Sequence, residues 1–73
     1  MNTLRDLRKA KGWSQERLAQ AAGVSTSTVY VHEAGKRTAE DSTILAYAGA
    51  LKVDWSVLSY LRDEPGTDVA GQP

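Results

Sequence analysis

Few residues of this 73-residue chain can do covalent chemistry. There is no cysteine, and the lone histidine, His32, has no second metal-binding group beside it. A zinc ligand set or a nucleophile–base pair would therefore lack its second member. No enzyme activity, metal or cofactor is expected, and His32 is expected to be a packing residue. What the chain concentrates instead is hydroxyls and cations: Ser25, Thr26, Ser27 and Thr28, then Tyr30, then Lys36, Arg37 and Thr38. Such groups in one short stretch suit the recognition of phosphate oxygens and polar edges, not the breaking of bonds.

The charge distribution agrees. Net charge is zero, but residues 4–37 hold seven bases against three acids, and residues 38–73 hold two bases against six acids. A basic first half can meet a polyanion while the acidic half faces away. No apolar stretch nears the roughly 20 residues needed to cross a bilayer. Residues 1–20 are charged throughout, so no signal peptide is expected and a cytoplasmic, nucleoid-associated location is.

The elements that must position these groups read as five short helices, at residues 4–11, 15–22, 26–34, 43–51 and 55–62. Thr3, Ser14, Ser25, Asp41 or Ser42, and Asp54 are the N-cap candidates. Gly12, Gly23 and Gly35 suit the positions after the first three helices. Trp13 with Leu18, Val24 with Val29, and Val53 with Leu58 have the spacing of hydrophobic staples. The expected core is Leu4, Leu7, Leu18, Ala19, Val24, Val29, Ile44, Leu45, Ala48, Leu51 and Leu58. No stretch alternates with period two, so no sheet is expected. Residues 1–62 read as one all-α domain and residues 63–73, polar and rich in glycine and proline, as a flexible tail.

Residues 14–37 pair two short helices across a tight turn, Ala22-Gly23-Val24-Ser25, which is the layout of a helix-turn-helix. The wider segment 4–58 resembles the Cro/C1-type (XRE-type) helix-turn-helix family. The resemblance rests on Leu4-Arg5 and Leu7-Arg8, Gly12-Trp13-Ser14-Gln15-Glu16, Leu18-Ala19, Gly23-Val24-Ser25, Ser27-Thr28-Val29, Glu33 with Gly35-Lys36-Arg37, and Ala48, Leu51, Val53 and Leu58. It implies a lambda-repressor-like fold in which the second and third helices form the DNA-reading unit. By this resemblance Thr26, Ser27, Tyr30 and Val31 read base edges. Gln15, Ser25, Thr28, Lys36, Arg37 and Thr38 hold phosphates, and Arg8 and Glu33 form a structural ion pair. The family often carries an amide or base where Thr26, Ser27 and Val31 stand, an asparagine at Ala34, and a proline after the basic loop. Here hydroxyl and methyl contacts, water and DNA shape must carry more of the specificity.

The function expected is sequence-specific binding of double-stranded DNA by a small Cro-like repressor of phage or bacterial origin. The chain is expected to act as a homodimer on a pseudo-palindromic operator. No small-molecule ligand is expected, since 73 residues leave little room for an effector domain. Trp55, Val57, Tyr60 and Leu61 are the expected dimer surface. The alternative is a protein-interaction module on the same fold, antitoxin-like or coactivator-like.

Overall fold

Helix starts in this chain are written as short polar side chains, and the structure uses four of them. The computed structural model describes residues 3–62; the expected tail, 63–73, lies outside the described residues. Helix α1 spans Leu4–Ala10, α2 Gln15–Ala22, α3 Thr26–Glu33, α4 Asp41–Leu51 and α5 Trp55–Leu58, and a 3-10 helix follows over Ser59–Arg62. No strand occurs among the described residues. Thr3, Ser14, Ser25 and Asp54 stand at N-caps, and their side-chain oxygens accept the backbone N–H groups of Asp6, Arg17, Thr28 and Ser56. Each cap satisfies a donor that the first turn leaves bare, a contribution of about 1 kcal/mol.

Helix ends repeat one device. A residue in the left-handed conformation follows each of the first four helices: Gly12, Gly23, Gly35 and Lys52. The next N–H then folds back five residues: Trp13 to the Arg8 carbonyl at 3.2 Å, Val24 to Ala19 at 3.0 Å, Lys36 to Val31 at 2.9 Å and Val53 to Ala48 at 3.0 Å. This is the closing bond of a Schellman motif. Trp13, Val24 and Val53 also precede the next N-cap and pack, partly buried, on the core. Their staple partners Leu18, Val29 and Leu58 are fully buried. One residue thus closes a helix and orients the next.

The core gathers a contribution from every helix. Leu4, Leu18, Ala19, Val29, Ile44, Tyr47, Ala48, Leu51, Leu58 and Leu61 are buried, with Ala39 from the loop after α3. Helix α2 packs against both α3 and α4, and α4 carries α5 and the 3-10 helix. The Tyr60 hydroxyl accepts the Leu4 N–H at 2.7 Å. That bond ties the last described turn to the first.

Four expectations are corrected. Leu45, expected in the core, is 58% exposed, whereas Tyr47 is fully buried. The buried face of α4 runs Ile44, Tyr47, Ala48 and Leu51 at helical spacing, and Leu45 falls one step off it. Leu61, expected on a dimer surface, is only 5% exposed. The segment expected as one α-helix at 55–62 tightens into a 3-10 turn after Leu58, which brings Leu58 and Leu61 onto one side. It also aims the Leu61 carbonyl at the Ala39 N–H, 2.8 Å away. Finally, α4 starts two residues before its expected 43, and Glu40 at its N-cap makes no side-chain cap bond. The buried Ala39 and its bond to Leu61 hold this helix start instead. Leu7 and Val24 line the core only partly buried.

A methyl group added at Gly23 or at Gly49 meets no atom within 4 Å, so only backbone conformation separates the two sites. Gly49 lies inside α4, and Gly49→Ala should raise stability by about 0.5–1 kcal/mol. Gly23 holds φ at 76°. Gly23→Ala should lower stability by about 1 kcal/mol or more. Urea midpoints for the two variants are expected to move in opposite directions.

Candidate nucleic-acid interface

The first residues the structure brings together are charged and buried. Arg8 of α1 meets Glu33 at the end of α3 through two bonds, Nε to Oε2 at 2.6 Å and Nη2 to Oε1 at 3.1 Å. The remaining Nη1 donates to the Trp13 carbonyl at 2.7 Å, in the turn before α2. Gln15, the first residue of α2, donates from Nε2 to Glu33 Oε1 at 3.0 Å. The side chains of Arg8 and Glu33 are 10% and 4% exposed. Three elements therefore converge on one carboxylate. Gln15 was expected on a phosphate; one of its two amide hydrogens is committed to Glu33, which fixes the orientation of the amide and leaves the other free.

Helix α3 buries Val29 and His32 and turns Thr26, Ser27 and Tyr30 outward. It stands as a ridge between two clefts. One, of about 250 Å³, is lined by Arg5, Arg8, Gln15, Tyr30, Glu33 and Ala34. The other, of about 410 Å³, is lined by Ser27, Thr28, Val31, His32, Arg37, Thr38, Glu40 and Thr43. Val31, expected at base edges, is half-buried on this second flank. Ser25 and Thr28 share a hydroxyl–hydroxyl bond of 2.8 Å, and Ser25 also caps α3. Lys36 and Arg37 are exposed at the far end of α3, and Lys36 Nζ lies 5.7 Å from the centre of the Tyr30 ring. Reasoning from sequence passed over Arg5 as a candidate. The signal was its place one turn before Arg8, which carries it to the mouth of the first cleft.

A Cro/C1-type helix-turn-helix family model matches residues 4–58, most of the chain. The chain belongs to the Cro/C1-type helix-turn-helix family. No curated protein and no solved structure gives a significant match. The family is one of DNA-binding transcription regulators, and α2, the Gly23 turn and α3 are its helix-turn-helix. The matched segment stops at Leu58, so Tyr60 and Leu61, which complete the packing here, lie beyond it.

In this helix-turn-helix α3 is held from behind by a second polar contact. His32 Nδ1 lies 2.8 Å from the Tyr47 hydroxyl of α4, and the rings meet edge to face at 86°. Burial lowers the His32 pKa below its ordinary 6.5; a backbone hydrogen bond with Thr38 opposes this and the Arg37 charge adds to it. The neutral ring accepts from Tyr47 at Nδ1, leaving its N–H for the Thr38 backbone. Burial, with the Glu33 charge behind it, pushes Tyr47 up to about 12, so the phenol stays a donor.

Two outcomes follow from these contacts. Glu33→Gln strips the buried guanidinium of its counter-charge and should cost about 3–5 kcal/mol in urea unfolding. The double change Arg8→Met with Glu33→Leu should recover a large part of that loss, because no charge is then left buried. The second concerns pH. A histidine pKa lower in the folded than in the unfolded state gives stability that is fully present above about 6.5 and falls as pH drops toward the folded value. Unfolding free energies between pH 8 and 5 should decline below about 6.5, and His32→Gln should flatten that limb.

Proposed function

We propose that this chain is a sequence-specific double-stranded DNA-binding repressor of bacterial or phage origin that occupies a pseudo-palindromic operator as a homodimer. The observation that carries the reading is the exposed ridge of α3. Thr26, Ser27 and Tyr30 face outward on it, and Lys36 and Arg37 follow at its end. A helix of this width fits a major groove of about 12 Å. Thr26, Ser27, Tyr30 and the edge of Val31 meet base edges. Lys36, Arg37, Thr38 and the free amide hydrogen of Gln15 take phosphates. Ser25 and Thr28 serve first as the cap of α3, with spare hydroxyl capacity for a backbone oxygen.

None of the outward side chains of α3 is an arginine, glutamine or asparagine, so the bidentate pairs worth about 1–3 kcal/mol per base are absent from this helix. Each copy therefore holds DNA modestly, and two copies gain what one lacks. Trp55 and Val57, half-buried, and Tyr60, 43% exposed, supply the proposed dimer surface. Two reading helices then lie about 34 Å apart, one turn of duplex.

Fluorescence anisotropy on duplexes from upstream of the chain's own gene, against scrambled duplexes, tests this reading. Specific binding that weakens steeply with salt is expected, because each neutralised phosphate adds about 0.9 to the slope of log K against log salt. Lys36→Glu with Arg37→Glu should abolish it at moderate salt. Unchanged affinity in that variant, or no duplex preference in the parent chain, would hand the fold to a protein partner instead. Sedimentation of a strict monomer on and off DNA would remove the dimer.

A further inference from the structure

A second basic feature lies away from α3. Lys11 caps the end of α1, and Arg17 is in the first turn of α2, its N–H donating to Ser14 Oγ at 3.0 Å. Both cations stack on one ring, that of Trp13: Lys11 Nζ at 5.3 Å and the Arg17 guanidinium carbon at 5.2 Å from the centroid. The two charges are thus no more than about 10.5 Å apart. The ion pairs among the described residues are Arg8–Glu33 and Arg62–Asp41, and neither Lys11 nor Arg17 is in them. Both side chains are exposed.

This arrangement is poorly satisfied in the free protein. Like charges within about one Debye length repel. Arg17 also sits at the positive end of its own helix, where a cation is disfavoured. The indole face offsets part of this and holds both heads in place. An anion set between the two cations removes the repulsion. The cluster flanks Ser14 and Gln15, and Gln15 lines the cleft beside Tyr30. Backbone that extends from a duplex on α3 beyond Gln15 comes next to the helix start that carries this cluster.

We propose that Lys11 and Arg17, carried on the Trp13 ring, form an additional grip on the phosphate backbone of the bound duplex, beyond the stretch that α3 reads. The proposal rests on the DNA-binding reading above. A grip of this kind adds affinity along the backbone and no base preference.

The test compares the parent chain with Lys11→Gln/Arg17→Gln on a mixed-sequence duplex of about two helical turns. Circular dichroism confirms that the variant is folded, and anisotropy is read over a salt series. The variant's slope should be shallower by about 1.8, so that a fourfold rise in salt costs the parent chain about tenfold more affinity than the variant. Its ranking of operator against scrambled duplexes should be unchanged. A slope equal to the parent's overturns the grip alone. So does an equal slope together with lost binding to polyglutamate, which would assign the surface to an acidic protein. A parent chain that binds no duplex at low salt overturns this proposal and the reading beneath it together.

Discussion

The carboxylate of Glu33 is the point on which the arrangement of this small domain turns. It ends α3, yet its partners belong to α1 and to the first residue of α2, and the same Arg8 that neutralises it also satisfies the carbonyl of Trp13 in the turn between them. Apolar side chains are tolerant of rotation and slide; a forked guanidinium on a carboxylate is not. The pair therefore defines where α3 stands relative to the two helices before it. Its contribution to net stability is small, since two desolvated ions offset much of their own attraction. Its contribution to geometry is not.

The other side of α3 is handled with uncharged groups. His32 and Tyr47 bury a donor and an acceptor against each other between α3 and α4. The loop that carries the basic residues runs beside this contact, with Thr38 and His32 lining one cleft and Ala39 bonded to Leu61. A loop of polar residues, otherwise free to wander, is in this way seated on the core at both flanks. The exposed Lys36 and Arg37 are therefore mounted on a frame that fixes the loop around them.

How much of this was legible in the sequence depends on the kind of residue. Caps and staples were readable because they are local: Ser14, Ser25 and Asp54 act within one turn, and Trp13, Val24 and Val53 four or five residues away. So were α2 and its reading partner, which glycine and hydroxyl punctuate clearly. Tyr47 was missed because a phenol looks polar until its partner is known, and that partner is fifteen residues distant. Leu45 was taken for core because it is apolar, although the helix face that turns inward is set by Ile44 and Tyr47. Leu61 and the start of α4 depend on each other through a single backbone bond between Ala39 and Leu61, and nothing local announces it. Gln15 showed its type but not its bond to Glu33, for the same reason of distance.

The shared joints between helices have a consequence for recognition. Trp13, Val24 and Val53 each finish one helix and begin another, so three of the four connections between helices carry a shared joint. In kinematic terms the chain is a linkage without loose pins. A rigid body of this kind has little internal motion to surrender when it docks, which leaves more of its few contacts available as affinity. It also separates two kinds of change. Exchanging Thr26, Ser27 or Tyr30 alters the exposed face of α3 while the scaffold stays as it was. Inserting a residue at a joint would swing every later helix at once. Such a molecule can change its target by small steps on one face, and its shape hardly at all.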